Sequence, residues 1–298
     1  MNNDKIKYYI TSTNITDFKG LVYTNNSCYI DSILISLFSP ENNGKILVDF
    51  FLKNFDLDDR KNICCDDLEL SKRIRKLLQK ELENIYYSIN NLANVKIKNI
   101  EKLRKILNFC NYSENYGNNG MKDPAEFLSY LFELFNVLSL KYHKVYGVTP
   151  QSKMVLLDKN TNNKASPIIT HILTKNVNLS SLISQNEVNN INFTRNSTNF
   201  VSTVTITQLI DCSFIVFHIQ RTTLCSNFNT NKVIAEDIIT VNNRAYKLSA
   251  VIVFNNNHYT SFFKKLNKWY YYDDTLLELV KHFDKYQIES KGVLYFYY

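Results

Sequence analysis

Cys28 follows a short loop, Gly20 to Ser27, and opens a segment whose apolar residues Ile30, Ile33, Leu34, Leu37 and Phe38 recur at helical spacing. A thiol in the first turn of a buried helix feels unsatisfied N–H groups and the positive end of the helix dipole, which favour thiolate over thiol. That is the setting of a nucleophile, although a structural cysteine is the commoner occupant of such a position. The best base is His258, flanked by Asn256-Asn257 and followed by alternating Tyr259, Thr260, Ser261 and Phe262, a histidine at the mouth of a strand. Beyond a β-turn signal at Asn267-Lys268 come Trp269 to Tyr272 and then Asp273 and Asp274. A hairpin of that length brings the end of its second strand back beside the start of its first. Asp273 can then accept a hydrogen bond from one imidazole nitrogen and leave the other to take the Cys28 proton. Without Cys28, a surface histidine and two turn-capping aspartates are the simpler reading.

Several elements must position these groups. Pro40 and an Asn42-Asn43-Gly44 turn close the Cys28 helix. A second helix is expected from about Asp67 to Ile89, with Leu70, Ile74, Leu77, Leu78, Leu82 and Ile85 on one face, and a third from Ile100 to Cys110. Asp123-Pro124-Ala125-Glu126 reads as a capping-box start, with a long amphipathic helix running on to about Tyr142. Beyond it, polar segments such as Asp158 to Ser166 and Gln185 to Asn199 separate runs rich in Val, Ile, Phe and Tyr. Strands are expected at Phe214 to Gln220, Lys247 to Phe254, Tyr259 to Lys264, Trp269 to Tyr272 and Val293 to Tyr297. With no repeats and no Gly/Ser linker, the helical and sheet halves read as lobes of one α+β domain.

Composition narrows the class. At 298 residues, 45% apolar and 21% charged, the chain can bury a large core. Its start holds no apolar stretch fit for a signal peptide, and the stretch from Phe127 to Leu140, interrupted by Glu133, is shorter than the ~20 residues that span a bilayer. An intracellular, cytoplasmic protein is expected, with the nucleus open to it, and no membrane association. Six cysteines without paired spacing read as reduced thiols. The net charge of +7 is scattered among Asn and Ile and forms no basic stripe, so nucleic acid is not expected as a partner.

Gly20-Leu21, then Asn26-Ser27-Cys28-Tyr29-Ile30-Asp31-Ser32 and Leu34, resembles the cysteine motif of the ubiquitin-specific proteases, roughly G-L-x-N-x-G-N-T-C-Y-M-N-S-x-L. Tyr246, Leu248, Ala250-Val251, His258-Tyr259 and Trp269-Tyr270 through Asp273-Asp274 resemble that family's histidine motif. Asp123 to Leu128 is similar to its helix motif Q-Q-D-A-x-E-F-L, Ile215 to Arg221 to its central strand L-I-I-H-L-K-R, and Val293 to Tyr297 to its closing strand.

The resemblance implies a papain-like cysteine peptidase fold with a helical thumb, an antiparallel β palm and reduced β fingers. The thumb would occupy about 15–145 and the fingers and palm about 146–298, in a single catalytic domain over 15–298. It implies a monomeric thiol deubiquitinase acting on ubiquitin and ubiquitinated proteins through a Cys28-His258-Asp273 triad. Asp274 would support the hydrogen-bond network, and Asp123 and Glu126 would hold the arginine-bearing tail of ubiquitin, unless Asp123 serves as a helix N-cap. Where the family places an asparagine that holds the oxyanion, five residues before the cysteine, this chain has Tyr23; either turnover is slow, or Tyr23, Asn25 or Asn26 supplies a substitute donor. That departure keeps open a catalytically weakened ubiquitin-binding relative. A protease for another ubiquitin-like modifier and a transglutaminase-like enzyme are further readings. Cys64-Cys65 are adjacent, and Cys212 and Cys225 stand alone, so the paired thiols of a zinc ribbon are missing; neither metal nor cofactor is expected.

Overall fold

The computed structural model describes residues 20–40, 43–52, 67–90, 100–110, 116–117, 120–137, 139–165, 167–189, 192–211, 213–222, 228–275 and 283–298. The helices are α1 Cys28–Phe38, α2 Leu68–Ile89, α3 Glu101–Leu107, α4 Pro124–Leu134 and α5 Lys285–Lys291, with a short helix Asn43–Ile46 leading into a π-helical turn, Leu47–Phe51. Asn43 and Gly44 thus stand in helix where a turn was expected; Asn42 lies outside the described residues.

Every residue of α1 is buried, so its polar members must find partners inside the protein. Ser32 Oγ donates to the Cys28 carbonyl at 2.5 Å, and Ser261 Oγ donates to the Ser32 carbonyl at 3.1 Å. The second helix starts as expected: Asp67 caps α2, accepting from the Leu70 N–H at 3.0 Å. The third is one turn shorter than expected, ending at Leu107. The helix expected to reach Tyr142 ends at Leu134. Asn136 takes φ 49°, and the N–H groups of Asn136 and Val137 close onto the carbonyls of Glu133 (3.1 Å) and Phe132 (2.8 Å), a Schellman stop.

The strands are β1 Ser139–Val148, β2 Met154–Ala165, β3 Ile168–Ile172, β4 Val177–Asn178, β5 Ser184–Asn189, β6 Phe193–Arg195, β7 Thr198–Phe200, β8 Ser202–Asp211, β9 Ile215–Gln220, β10 Val233–Ile234, β11 Ile238–Val241, β12 Arg244–Asn255, β13 His258–Lys265, β14 Lys268–Tyr272 and β15 Gly292–Tyr297. The first strand begins at Ser139, ahead of the lobe boundary near 145 expected from the sequence. A four-stranded antiparallel sheet, β2-β1-β8-β5, stands apart from a seven-stranded sheet that runs β14-β13-β12-β15-β9-β3, with β11 beside β12. The palm is antiparallel as expected apart from its edge, where β3 pairs with β9 in parallel. The polar segments Asp158 to Ser166 and Gln185 to Asn199, expected as separators, lie largely within strands β2, β5, β6 and β7. Helix α5 had no counterpart in the expectation.

The middle strands β9, β12 and β15 are buried on both faces along much of their length, which is why they read as near-continuous apolar runs. Along β12, Ala250 and Ile252 join the core beneath the helices, while Val251 and Val253 point into the opposite core with Tyr295 and Tyr297. Two-residue turns fix the register: Asn256-Asn257 (φ 50° and 60°) join β12 to β13, and Leu266-Asn267 (φ 50° and 57°) join β13 to β14, one residue before the expected turn.

Arg221, 2% exposed, knits the end of β9 to α5 and β15. Its guanidinium donates to the carbonyls of Gly292 (2.7 Å), Asn229 (3.0 Å), Asn231 (2.8 Å) and Glu289 (2.7 Å). Arg221→Ala is expected to cost more than ~3 kcal/mol by orphaning buried acceptors. Thermal unfolding checks it as a fall of about 8 °C in Tm, and Arg221→Lys is expected to recover little, since one ammonium cannot span four separate carbonyls.

Candidate active site

Cys28 is the first residue of α1 and only 3% exposed. Five hydrogen bonds hold the loop before it. The Leu21 N–H donates to Tyr272 Oη at 3.0 Å, and Tyr272 Oη donates to the Leu21 carbonyl at 2.6 Å. The Tyr23 N–H donates to the Asp274 carbonyl at 3.3 Å, and Arg104 Nη1 donates to the carbonyls of Thr24 (3.2 Å) and Asn25 (2.8 Å). Asn25 and Asn26 hold φ 45° and 60°, left-handed values that asparagine tolerates. The strand carrying the acids is thereby fastened to the loop carrying the nucleophile.

The paired strands β13 and β14 bring Asp273 back to His258, as the hairpin argument expects. His258 Nε2 lies 3.0 Å from Asp273 Oδ1 and 3.3 Å from Asp274 Oδ1, and the ring also hydrogen-bonds Cys28. With Nε2 facing the acids, Nδ1 is left for the sulfur. His258 donates to the Asp273 carboxylate, and the Asp274 carboxylate and Cys28 beside the ring add to its effect; together they push His258 up to about 12, against the opposing effect of burial. For Asp273, burial works to raise the carboxyl, but hydrogen bonds from His258 and from the Thr275 hydroxyl (2.6 Å) and N–H (2.9 Å) outweigh it and hold it well below the usual carboxylate range. Tyr271 Oη adds a hydrogen bond to Asp273 Oδ2 at 3.3 Å.

The ligand atoms of His258, Asp273 and Asp274 lie within 4.8 Å of one another, and His258 Nε2 is already hydrogen-bonded to Asp273. Cys64, Cys65, Cys212 and Cys225, on which the zinc expectation rested, lie outside the described residues.

Tyr23 stands beside the histidine, its ring edge-on with centroids 6.2 Å apart. Its hydroxyl turns to Asn26, accepting from the backbone N–H at 3.2 Å and facing Oδ1 at 3.3 Å. Asp123 caps α4, accepting from the N–H groups of Ala125 (2.6 Å) and Glu126 (3.4 Å), so the capping alternative holds. The field of Asp123 also reaches His218 and Tyr259, and Tyr259 feels Cys28 and Glu126 as well. Burial first, then these charges, raise Tyr259 above its ordinary range, while burial lowers His218. Asp123, Glu126 and Cys28 thus all lie within electrostatic reach of Tyr259, and the four groups make up one strip.

A family model described as ubiquitin carboxyl-terminal hydrolase matches residues 19–297. The chain belongs to this family. Among solved structures, the Ubp8/Sgf11/Sus1/Sgf73 deubiquitinating module of SAGA, bound to ubiquitin aldehyde, superposes with TM-score 0.65 at 11% identity, over 99% of this chain and 72% of that one. An essential yeast splicing factor matches with TM-score 0.53 at 15% identity, over 95% and 70% of the two chains. These similarities show a shared fold, the papain-like architecture of the family. No curated protein matches in a comparison of single sequences.

Within this ubiquitin carboxyl-terminal hydrolase fold, Cys28, His258, Asp273 and Asp274 converge, with Tyr23 and Asn26 at their edge and Asp123 and Glu126 at the far end of the strip. Sequence reasoning missed Asp31, fully buried on α1 and close to Asp274. The available signal was the aspartate standing where the family motif carries asparagine. It also missed Tyr272 and Arg104 as anchors of the Cys28 loop, for which a single sequence holds no local sign. No helix among the described residues is long and apolar enough to cross a membrane.

Proposed function

We propose that this hydrolase-family chain is a thiol-dependent deubiquitinase cleaving the bond at the C-terminal glycine of ubiquitin. The observation that supports it most is His258 lying between the first-turn Cys28 and two carboxylates. In this reading Cys28 sulfur attacks the glycine carbonyl, and His258 Nδ1 hands a proton to the departing lysine amine. Water, deprotonated by the same nitrogen, then hydrolyses the thioester, while Asp273 keeps the ring aligned. The N–H groups of Cys28 and Tyr29, ahead of the first helical bonds from Ile30 and Asp31 to the Ser27 carbonyl, suit the oxyanion. We assign ubiquitin and its conjugates as partners and the chain from about residue 15 as one catalytic domain. Hydrolysis of a ubiquitin C-terminal fluorogenic amide tests the reading, and a folded protein inert towards it but active on another modifier would defeat it.

Asp123 and Glu126 present negative charge along the approach to Cys28, which suits the arginines of the ubiquitin tail. Asp123→Asn keeps a good N-cap while removing the charge. The expected result is a KM about tenfold higher with kcat unchanged, the loss of one charge-assisted contact; an unchanged KM would leave Asp123 as a cap alone.

Tyr23 uses its hydroxyl on Asn26, so the carboxamide donor of the family is not replaced one-for-one. Tyr23→Asn is expected to raise the single-turnover rate by about tenfold, part of the ~10²- to 10³-fold one oxyanion donor is worth. A fall would show that the Tyr23-Asn26 pair already serves the oxyanion.

A further inference from the structure

Behind the triad lies a second acidic contact. Asp31 is 0% exposed and Asp274 2% exposed, and the two carboxyls meet between α1 and the end of β14. Asp31 Oδ2 takes a hydrogen bond from Ser27 Oγ, but Asp31 Oδ1 and both Asp274 oxygens receive no properly aligned hydrogen bond from any N–H or O–H donor. The His258 N–H cannot serve both acids: it aligns on Asp273, and Asp274 Oδ1 sits off its line at 3.3 Å. The other titratable groups facing the pair are Cys28 and Tyr29 beside Asp31 and Tyr272 beside both acids, and the Tyr272 hydroxyl is engaged with Leu21. Two adjacent buried anions in such a place repel strongly, and a single proton between them removes both the repulsion and the missing donor.

We propose that Asp31 is a positioning residue of this site, kept as the neutral acid and donating its proton to Asp274, which is thereby held behind His258 with one negative charge shared by the two carboxyls. Burial and the neighbouring Asp274 raise Asp31 well above the usual carboxylate range, in keeping with this. The ubiquitin-specific protease motif carries asparagine at this position. Its amide donates at every pH, whereas Asp31 donates only while protonated, so here the support of the triad depends on pH. The catalytic consequence rests on the proposed function; the shared proton does not.

The sign follows from linkage. A folded-state pKa above the unfolded one gives stability that is present below the ordinary carboxylate value and lost as pH rises towards the raised one. Asp31→Asn removes that decline. Melting temperatures of wild type and Asp31→Asn should therefore lie close together near pH ~5 and separate in favour of the variant by about 3 °C or more near pH ~9. Infrared spectra at neutral pH should show a protonated carboxylic acid in wild type that is missing from Asp31→Asn. With ubiquitin substrate, Asp31→Ala should lower kcat by about tenfold at unchanged KM, and Asp31→Asn should recover most of that loss and shift the alkaline limb of the pH profile upwards. A Tm difference that does not vary with pH, or no protonated acid in wild type, overturns the shared proton. If both physical signatures appear and ubiquitin is not cleaved, the functional reading fails and the acid pair stands.

Discussion

Cys28→Ala is expected to lower hydrolysis of ubiquitin C-terminal amides by at least ~10⁴-fold in kcat, because no neighbouring group can take over the covalent step. Cys28 is 3% exposed in a helix whose every residue is buried, and alanine removes one sulfur without disturbing the Ser32 and Ser261 hydrogen bonds that seat that helix. The rest of the surface, including the strip from Asp123 to Tyr259, remains. Ubiquitin affinity by calorimetric titration is therefore expected to stay within about threefold of wild type, since binding and bond cleavage draw on different groups. Residual turnover within ~10-fold of wild type would place the nucleophile elsewhere.

The second large effect separates the two acids. Asp273 is aligned with the His258 N–H at 3.0 Å and is kept ionised by His258 and Thr275, whereas Asp274 is off that line and shares its buried side with Asp31. Asp273→Asn leaves a side chain of the same shape but removes the charge that stabilises the imidazolium and turns the ring towards Cys28. A fall of ~10³- to 10⁴-fold in kcat is expected, the scale of the corresponding change in Ser-His-Asp enzymes. Asp274→Asn is expected to cost only about 10-fold, the usual size of a supporting contact. Steady-state kinetics on the two variants decide the ranking, and a larger loss for Asp274→Asn would exchange their roles.

Loss of the His258–Asp273 pair also has a pH signature. His258 is raised to about 12 in the folded protein, so its contribution to stability is present below the ordinary imidazole range and disappears only as pH approaches 12. Asp273 is depressed, so its contribution is present above the ordinary carboxylate range and is lost as pH falls below it. Across neutral pH the pair is intact, and Asp273→Asn should flatten the acid side of the stability curve.

The parts of this site written in short stretches of sequence were legible. Apolar spacing from Ile30 to Phe38 marks a buried helix, and Cys28 at its start needs only the first-turn position to be noticed. Asn256-Asn257 before His258 and a two-residue turn before Lys268 specify hairpins, and hairpins fix where Asp273 returns. Asp67 and Asp123 were readable as helix starts because a cap and the first turn are consecutive residues.

What was hidden depends on partners distant in sequence. The helix after Pro124 stops because Asn136 adopts a left-handed backbone, a choice the apolar run through Leu140 conceals. Strands β2 and β5 are rich in Asn, Ser and Lys and carry no strong alternation, so they read as loops until pairing with β1 and β8 organises them. The parallel pairing of β3 with β9 is a matter of topology and leaves no local mark. Asp31 looked like an ordinary helix residue; only the fold puts it against Asp274.

The most direct measurement is to incubate wild type and Cys28→Ala with ubiquitin bearing a C-terminal propargyl group, then read intact mass and map the modified residue. The expected result is a single ubiquitin adduct on Cys28 in wild type and none in Cys28→Ala. A folded wild type that stays unlabelled, or an adduct carried by any other residue, would contradict the assignment of this site.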